Sequence, residues 1–501
     1  MSSTFMGLSI ASRGLSSSKI GLATTTSNQS NTDTKGYSRQ IVNQTSVGPA
    51  AVYSSGLVGG GADVTSVDRV RSDRLDQKYW QENSASNKTA TKSSYLSQIE
   101  SVFSTTDSDS ISKELETFNT DLGKLADNTS DTSVRETVLQ DAENLCSTLN
   151  QTATDLTQLR NDVNSEVNTT VTKINADTKQ IADLNKKITV AKASGASTNE
   201  LEDQRGVVVD DLSGLVGINV TKTDDGALNI TTGDTNLVSG NDSTKLECYT
   251  VTDKTSDQYG MYGIRNGDTG KDVDTGTSGA LGGYLGVRDG NSSESKGIPY
   301  YTKQLDTFTQ TFAKAFNEGV TSGTTSYNGN ADGVGQDGST DVRFFSYENK
   351  SSADLMASGS DTDSVYKNIT AANITVSKDV QEDTGKIAAA SATGDDGNND
   401  NIADLVKIWG SADVSGNSTV AELYSSIISN VGNASAYAKT ESSRQSTITK
   451  YIESSRSSVS GVNTNEETTN MNKYQSAYNA SASAVTTWNE IYQATLDMVN
   501  T

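Results

Sequence analysis

Apolar positions are most regularly spaced at the two extremities of this chain. Phe5, Leu8, Leu15 and Leu22 lie on a stripe with a repeat of about seven residues, beside Met6, Ile10 and Ile20, with small Ser, Ala and Gly residues between. The pattern predicts an amphipathic helix within residues 1–40, closed by Asn31-Thr32-Asp33-Thr34-Lys35-Gly36-Tyr37-Ser38-Arg39-Gln40. Met471, Tyr474, Tyr478, Val485, Trp488, Tyr492, Leu496 and Val499 follow helical steps, with Ala482 filling the gap, and predict a second amphipathic helix over 466–501. Termini normally fray, so stripes there imply ends that pack on each other and on neighbouring copies. Burying the second stripe is worth at most ~10–25 kcal/mol, and a lone pair of helices would leave much of it wet.

Between the ends the periodicity changes several times. Residues 41–70 read as extended and Gly-rich, ending in a strand at Val64-Thr65-Ser66-Val67-Asp68-Arg69-Val70. From Tyr79 to Ala193 the pattern is helical almost throughout. Within it Leu145, Leu149, Leu156, Leu159, Val163, Val167, Val171, Ile174, Ile181, Leu184 and Ile188 keep steps of three, four or seven, which predicts a rod of roughly 60–70 Å needing partner helices. Residues 216–290 hold short alternating runs between Asp-Gly and Gly-Asp turns and predict β structure. Tyr301 to Val320 returns to helix through Leu305, Phe308, Phe312 and Phe316, and the helical pattern resumes from Ile402. Residues 321–400, rich in Gly, Asp, Ser and Thr, read as a solvent-facing β insert or loop-rich arm.

The resulting expectation is a mainly α chain with β inserts: terminal helices in a coiled-coil-like domain, a long helical bundle and outer β domains. The boundaries expected are 1–45 with 466–501 for the terminal-helix domain and 46–215 with 285–320 and 401–465 for the bundle. A β domain is expected at 216–284, and a variable outer insert at 321–400.

Composition narrows the function. Forty basic against sixty-three acidic side chains give a net charge of −23, which disfavours nucleic acid and anionic membrane partners. Histidine is absent, removing the usual general base, the Ser-His and Cys-His pairs and most zinc ligand sets. Cys146 and Cys248 match neither a metal spacing nor a disulfide framework. No run reaches the ~18 apolar residues of a membrane span, and Met1–Leu22 lacks the apolar core and cleavage site of a secretory signal. Export without a cleaved leader is the expectation.

Candidate chemistry is thin. Carboxylates are spread over helix faces and turns, so solvated surface is favoured over a glycosidase pair. Asn328-Gly329-Asn330-Ala331-Asp332-Gly333 resembles the start of a calcium loop, but begins with Asn and reaches Ser339 where a bidentate Glu is required; a turn is the preferred reading. Gly279-Ala280-Leu281-Gly282-Gly283-Tyr284-Leu285-Gly286 has neither dinucleotide-fold spacing nor a phosphate-loop Lys. No catalytic residue, metal or cofactor is assigned.

One set of segments does carry a resemblance. Thr34-Lys35-Gly36-Tyr37-Ser38-Arg39-Gln40 resembles the T-P-G-Y-S-R-Q segment of flagellar axial proteins, with Lys35 in the place of the usual proline. Gly61 to Val70, Leu201-Glu202-Asp203-Gln204-Arg205 with Asp211-Leu212-Ser213, Leu281 to Asp289, Gly461-Val462-Asn463 through Glu466-Glu467 and Tyr474 to Ala482 extend it in order along most of the chain. Together they resemble the bacterial flagellar hook-associated protein 1 family, whose members join hook to filament. Thr468-Thr469-Asn470-Met471-Asn472 departs from the family's more apolar M-A-N-L-I run. The resemblance implies a non-enzymatic ring of about eleven copies, with hook protein on one side and a second junction protein or filament on the other. It also implies a cytoplasmic export chaperone on the C-terminal helix, and location at the flagellum after type III export. The assembly interface is then expected at Phe5, Leu8, Leu15, Leu22, Tyr37, Arg39, Tyr474, Tyr478, Val485, Trp488, Tyr492, Leu496 and Val499. The alternatives are another axial subunit of hook or distal rod, or a secreted calcium-dependent or carbohydrate-active surface protein built on residues 321–400.

Overall fold

A computed structural model describes residues 4–53, 56–104, 110–393, 397–410, 412–415 and 418–499. Helices dominate, in the order α1 Thr4–Ser30, α2 Asp73–Phe103, α3 Ile111–Asp127, α4 Thr132–Ala193, α5 Asn199–Leu215, α6 Gly279–Asp289 and α7 Ile298–Glu318. Three one-turn helices follow, α8 Ser352–Met356, α9 Thr362–Tyr366 and α10 Lys378–Glu382, and then α11 Asp400–Gly410, α12 Val420–Ser460 and α13 Thr464–Val499. The mainly α architecture with β inserts agrees with the sequence reading.

The spine is α4. Its 62 residues span about 93 Å, longer than the expected rod because Asp131 caps it well upstream, accepting from the Ser133 and Val134 amides. Its apolar stripe serves two cores in succession. Val138 through Val163 join α2, α3, α7, α11 and α12. Val167 through Leu184 join α5, α6 and the β region. Asparagines on the same helix reach sideways to strand backbones. The Asn185 carboxamide donates to Leu228 O at 2.8 Å and accepts from Leu228 N at 3.1 Å; Asn175 brackets Leu246 in the same way, and Asn164 accepts from Tyr262 N at 2.8 Å. Asn185 and Asn175 thus each satisfy a backbone donor and a backbone acceptor of the strands.

Those strands are the predicted β segment. Asn219–Lys222, Leu228–Thr232, Thr235–Ser239 and Asp242–Ser243 form an antiparallel meander, and Leu246–Thr250 pairs with Tyr262–Asn266. Nearer the N-terminus, Gln40–Ser46 pairs antiparallel with Ala62–Arg69, matching the expected strand at Val64–Val70 to within two residues.

Residues 321–400 depart from the expected solvent-facing arm. The described residues there form short strand pairs, Val320–Ser322 with Thr325–Tyr327 and Phe345–Tyr347 with Ile374–Val376, beside the one-turn helices α8, α9 and α10. Phe344, Phe345, Leu355, Tyr366, Ile369, Ile374 and Ile387 are buried in the same core as the helices. Phe118 of α3 and Phe316 of α7 stand 5.4 Å apart, each within 6 Å of Phe344 and Phe345 ring centres. Local composition hid this, because the segment's few large apolar residues are concentrated at one contact. Truncation by Phe345→Ala is expected to cost about 3–5 kcal/mol of stability in denaturant titration. Hydrogen exchange should rise in α3 and α7 as well as in the segment itself; a change confined to residues 321–400 would contradict a shared core.

Between α3 and α4 the Asp141 carboxyl faces Asp121, which pairs with Lys124. Burial, the hydrogen bond and charge of Asp121, and the charge of Glu114 push the Asp141 carboxyl up to about 6. The folded chain therefore holds a proton that the unfolded chain, with a carboxyl near ~3.9, releases. This contribution favours folding below about pH 4 and is lost as pH rises through about 6. Asp141→Asn is expected to raise Tm at pH 7 and to flatten its slope between about pH 4 and about pH 6, measured by calorimetry.

Candidate functional site: the terminal helix pair and its joint

The first and last helices pack antiparallel, and their seam is built on missing side chains. In α1 the pair Gly-Leu recurs every seven residues, at Gly7 and Leu8, Gly14 and Leu15, and Gly21 and Leu22. In α13 the opposing residues recur with the same period as Trp488, Ser481 and Tyr474. A Cβ on Gly7 would fall 2.1 Å from the Trp488 indole, one on Gly21 2.5 Å from the Tyr474 ring, and one on Gly14 2.9 Å from Ser481 Oγ. The rings thus lie on bare backbone, and a register slip of less than the seven-residue period would set them against Cβ atoms. Leu8, Leu15 and Leu22 sit half-buried beside this line, as do Tyr478 and Val485 on the facing helix. Phe5 meets Tyr492 with ring centres 5.3 Å apart.

Cover is incomplete. Phe5 is 56% exposed, Tyr492 36%, Leu496 39%, Ile491 44% and Met498 71%, whereas Glu467 is buried at the other end of α13. The Val499 side chain lies outside the described residues. On the opposite flank of α1, Arg13 donates to Gly60 O at 3.1 Å, and Gly61 approaches Ile10, so the hairpin of Gln40–Ser46 and Ala62–Arg69 lies against the helix.

Tyr37 and Arg39, expected at an interface between copies, are used inside the chain. The Tyr37 hydroxyl donates to Asn28 Oδ1 at 2.9 Å, and the Asn28 amide donates to Gln40 O at 2.8 Å and to Glu467 Oε2 at 3.1 Å. Burial pushes the Tyr37 hydroxyl pKa up, keeping it a donor. Arg39 grips the first turn of α13 through Glu467 Oε1 and Glu466 Oε2, both at 2.8 Å, and its amide donates to Ser460 O at the end of α12. The carboxylates sit where the helix dipole favours them.

The neighbouring residues weld this joint to the body. Asp203 of α5 accepts from Ser38 N at 3.0 Å, Ser38 Oγ at 2.7 Å and Arg69 Nη1 at 2.6 Å, while Arg69 also pairs with Glu202. Although burial works against its charge, Arg69 and Lys222 hold the Glu202 carboxyl below its usual range. Arg71 reaches Asp76, and Arg456 of α12 reaches Asp210 at 2.6 Å while lying 4.0 Å over the Tyr79 ring. Gly36 turns the chain with φ +81°, and a Cβ there would fall 2.1 Å from Val207 Cγ2. Lys35, in the proline position, makes only an exposed pair with Asp211 at 3.2 Å.

Other candidate chemistry is committed to structure. The buried Asn330 carboxamide binds Val342 O and Ala388 N, and Asp332 caps its own turn through Gly329 N at 3.0 Å. Among the described residues no group of three His, Cys, Asp or Glu is placed to hold a metal ion. Burial drives the Cys146 thiol pKa far up and that of Cys248 up as well, so neither is a ready nucleophile. The joint was visible in the sequence as quoted segments but not as contacts, since Asn28 and Glu467 lie 439 positions apart.

Comparison with known proteins finds relatives over nearly the whole chain. The chain is 30% identical over 516 residues to flagellar hook-associated protein 1 of Bacillus subtilis, covering 98% of this chain and 97% of that protein. It belongs to the flagellar hook-associated protein 1 family. Relatives of the same name from Salmonella typhimurium and Escherichia coli are 28% and 26% identical, each over 97% of this chain and at least 98% of the relative. Residues 96–337 match the family described as "Flagellar hook-associated protein FlgK helical domain", and residues 453–498 match "Flagellar basal body rod FlgEFG protein C-terminal". The flagellar hook junction protein FlgK from Burkholderia pseudomallei shares the fold, with a TM-score of 0.61 and 17% identity over 77% of this chain and all of that one. The family is one of structural flagellar proteins, and no described helix is long and apolar enough to cross a membrane.

Gly14 and Gly21 separate the two components of the seam. Gly21→Ala is expected to loosen the helix pair by about 1–3 kcal/mol, because the Tyr474 ring cannot yield. Gly14→Ala should be neutral or stabilising by up to about 1 kcal/mol, since the Ser481 hydroxyl can rotate and Ala favours helix. Amide exchange across residues 4–30 and 464–499 reads both.

Proposed function

We propose that the chain is a structural subunit at the junction between flagellar hook and filament, acting without catalysis. Copies assemble through the terminal helices into a ring of about eleven, with α1 and α13 in the inner tube, the bundle as the middle layer and the β elements outside. The observation that carries this reading is the half-covered seam: α1 and α13 hold each other in register while Phe5, Tyr492, Leu496 and Met498 stay exposed. Within a tube those side chains are covered by the same pair in adjacent copies, so the interface consists of Phe5, Leu8, Leu15, Leu22, Tyr474, Tyr478, Val485, Trp488, Tyr492, Leu496 and Val499, with Tyr37 and Arg39 setting the angle at which the pair leaves the body.

The match of the C-terminal segment to basal body rod proteins supports a mode of terminal-helix packing common to axial subunits. Hook protein lies on one side and the second junction protein or filament on the other. Before assembly, an export chaperone covers the exposed face of α13, and the chain leaves the cytoplasm through the flagellar type III apparatus. The two free thiols and the scarcity of proline, at Pro49 and Pro299 only, suit a chain threaded unfolded and refolded outside.

Deleting residues 471–501 is expected to leave a soluble body with unchanged core unfolding, because the buried residues of both cores lie outside that segment. It should abolish incorporation between hook and filament, scored by labelled imaging. Normal filaments on that mutant would defeat the proposal.

A further inference from the structure

Away from the terminal pair, α2 and α12 enclose a groove with a composition unusual for this molecule. A cavity of ≈ 510 Å³ at the joint is lined largely by polar side chains, whereas this groove, of ≈ 450 Å³, brings Leu96, Ala434 and Ala438 together with Lys88, Lys92 and Lys296, and with Glu294 and Glu441. Lys88 and Lys92 stand one turn apart on α2, and Lys296 comes from the loop before α7. None of these lysines makes an ion pair among the described residues; Lys296 only approaches the Tyr300 ring, at 5.6 Å. Glu441, which lines the groove, is already taken by Arg444. Beside the rim Tyr437 is 73% exposed, as is Tyr451, at 71%, further along the same helix.

A chain of net charge −23 has acids to spare, yet three lysines against two glutamates line this groove, and none of the three makes an ion pair among the described residues. Burial and mutual repulsion hold the Lys92 ammonium pKa down, a cost that an anion in the groove would relieve. Copies of such a chain also repel one another, so side-by-side packing needs local patches of the opposite sign. We infer that the Lys88, Lys92, Lys296 and Tyr437 groove is a docking surface for a carboxylate-bearing segment of a second copy of this chain. The inference rests on the junction reading, in which copies stand side by side. The lysines take the carboxylates, Tyr437 folds over the occupant, and Leu96 with the two alanines receives its apolar side chain.

The test places a benzoylphenylalanine photo-crosslinker at position 437 of the full chain, in cells assembling flagella, with labelled imaging of hook-filament junctions in the same culture. The expected result is an adduct between two copies of this chain, mapped by mass spectrometry to an acidic segment. Lys88→Glu, Lys92→Glu and Lys296→Glu together should reduce it about ten-fold or more, while the Arg triple variant keeps it. Far-UV circular dichroism and Tm of the purified variants establish that the charge-reversed chain is folded, and Lys92→Gln alone provides a milder version with a smaller loss. Junctions that contain the protein but yield no homo-adduct, an adduct to a different protein, or an adduct unchanged by charge reversal each overturn the groove assignment alone. Absence of the protein from junctions overturns the proposed function itself, and the groove assignment with it.

Discussion

A carboxylate taken out of water is tolerable only when its lone pairs are met, and the architecture of this chain depends on that condition at Asp203 and Glu467. Asp203 accepts from Ser38 and Arg69, and Glu467 from Arg39 and Asn28. These groups come from α1, the loop after it, the β hairpin, α5 and the start of α13. Removing one member leaves a buried charge without its partner, so the joint is all-or-none: either the two ends are aimed together from one side of the body or they are not aimed at all. Packing of apolar stripes cannot supply such directionality, because it tolerates sliding and rotation.

From that joint the rest follows in two directions. Toward the termini, α1 and α13 leave as a pair whose register is set by the Gly7, Gly14 and Gly21 series. Toward the body, α4 carries one apolar stripe through two cores and holds the β segment by its asparagines. Separate functional demands are thus kept on separate elements: stiffness on α4, aim on the joint, and adhesion on the helix pair.

Much of this was legible in the sequence, for identifiable reasons. The α4 stripe and the terminal aromatic stripe are long and strictly periodic, and long periodic segments leave little ambiguity. The quoted segments around Gly36, Asp203, Arg288 and Glu467 pointed to the family because the fold uses them where chain segments cross. Three things were not legible. The sequence shows small residues between the apolar positions of α1 but not that Gly7, Gly14 and Gly21 each face a side chain of α13, because a hydrophobic pattern records what is present, whereas here the informative residue is the one lacking a side chain. The core role of Phe344 and Phe345 was masked by their polar surroundings. The asparagines of α4 look like solvated helix surface until the strands they bind are in place.

The glycine seam has a consequence for how the ends fold. Three glycines cost α1 about 3 kcal/mol of intrinsic helicity relative to alanine, and they give nothing back until aromatic rings lie on the exposed backbone. Such a helix is a poor autonomous structure and a good conditional one. Before α13 arrives α1 is cheap to unwind, and once the rings are seated no side chain on the glycine line has rotamer freedom left to lose. The N-terminal segment is therefore a conditional element whose ligand is the other end of its own chain.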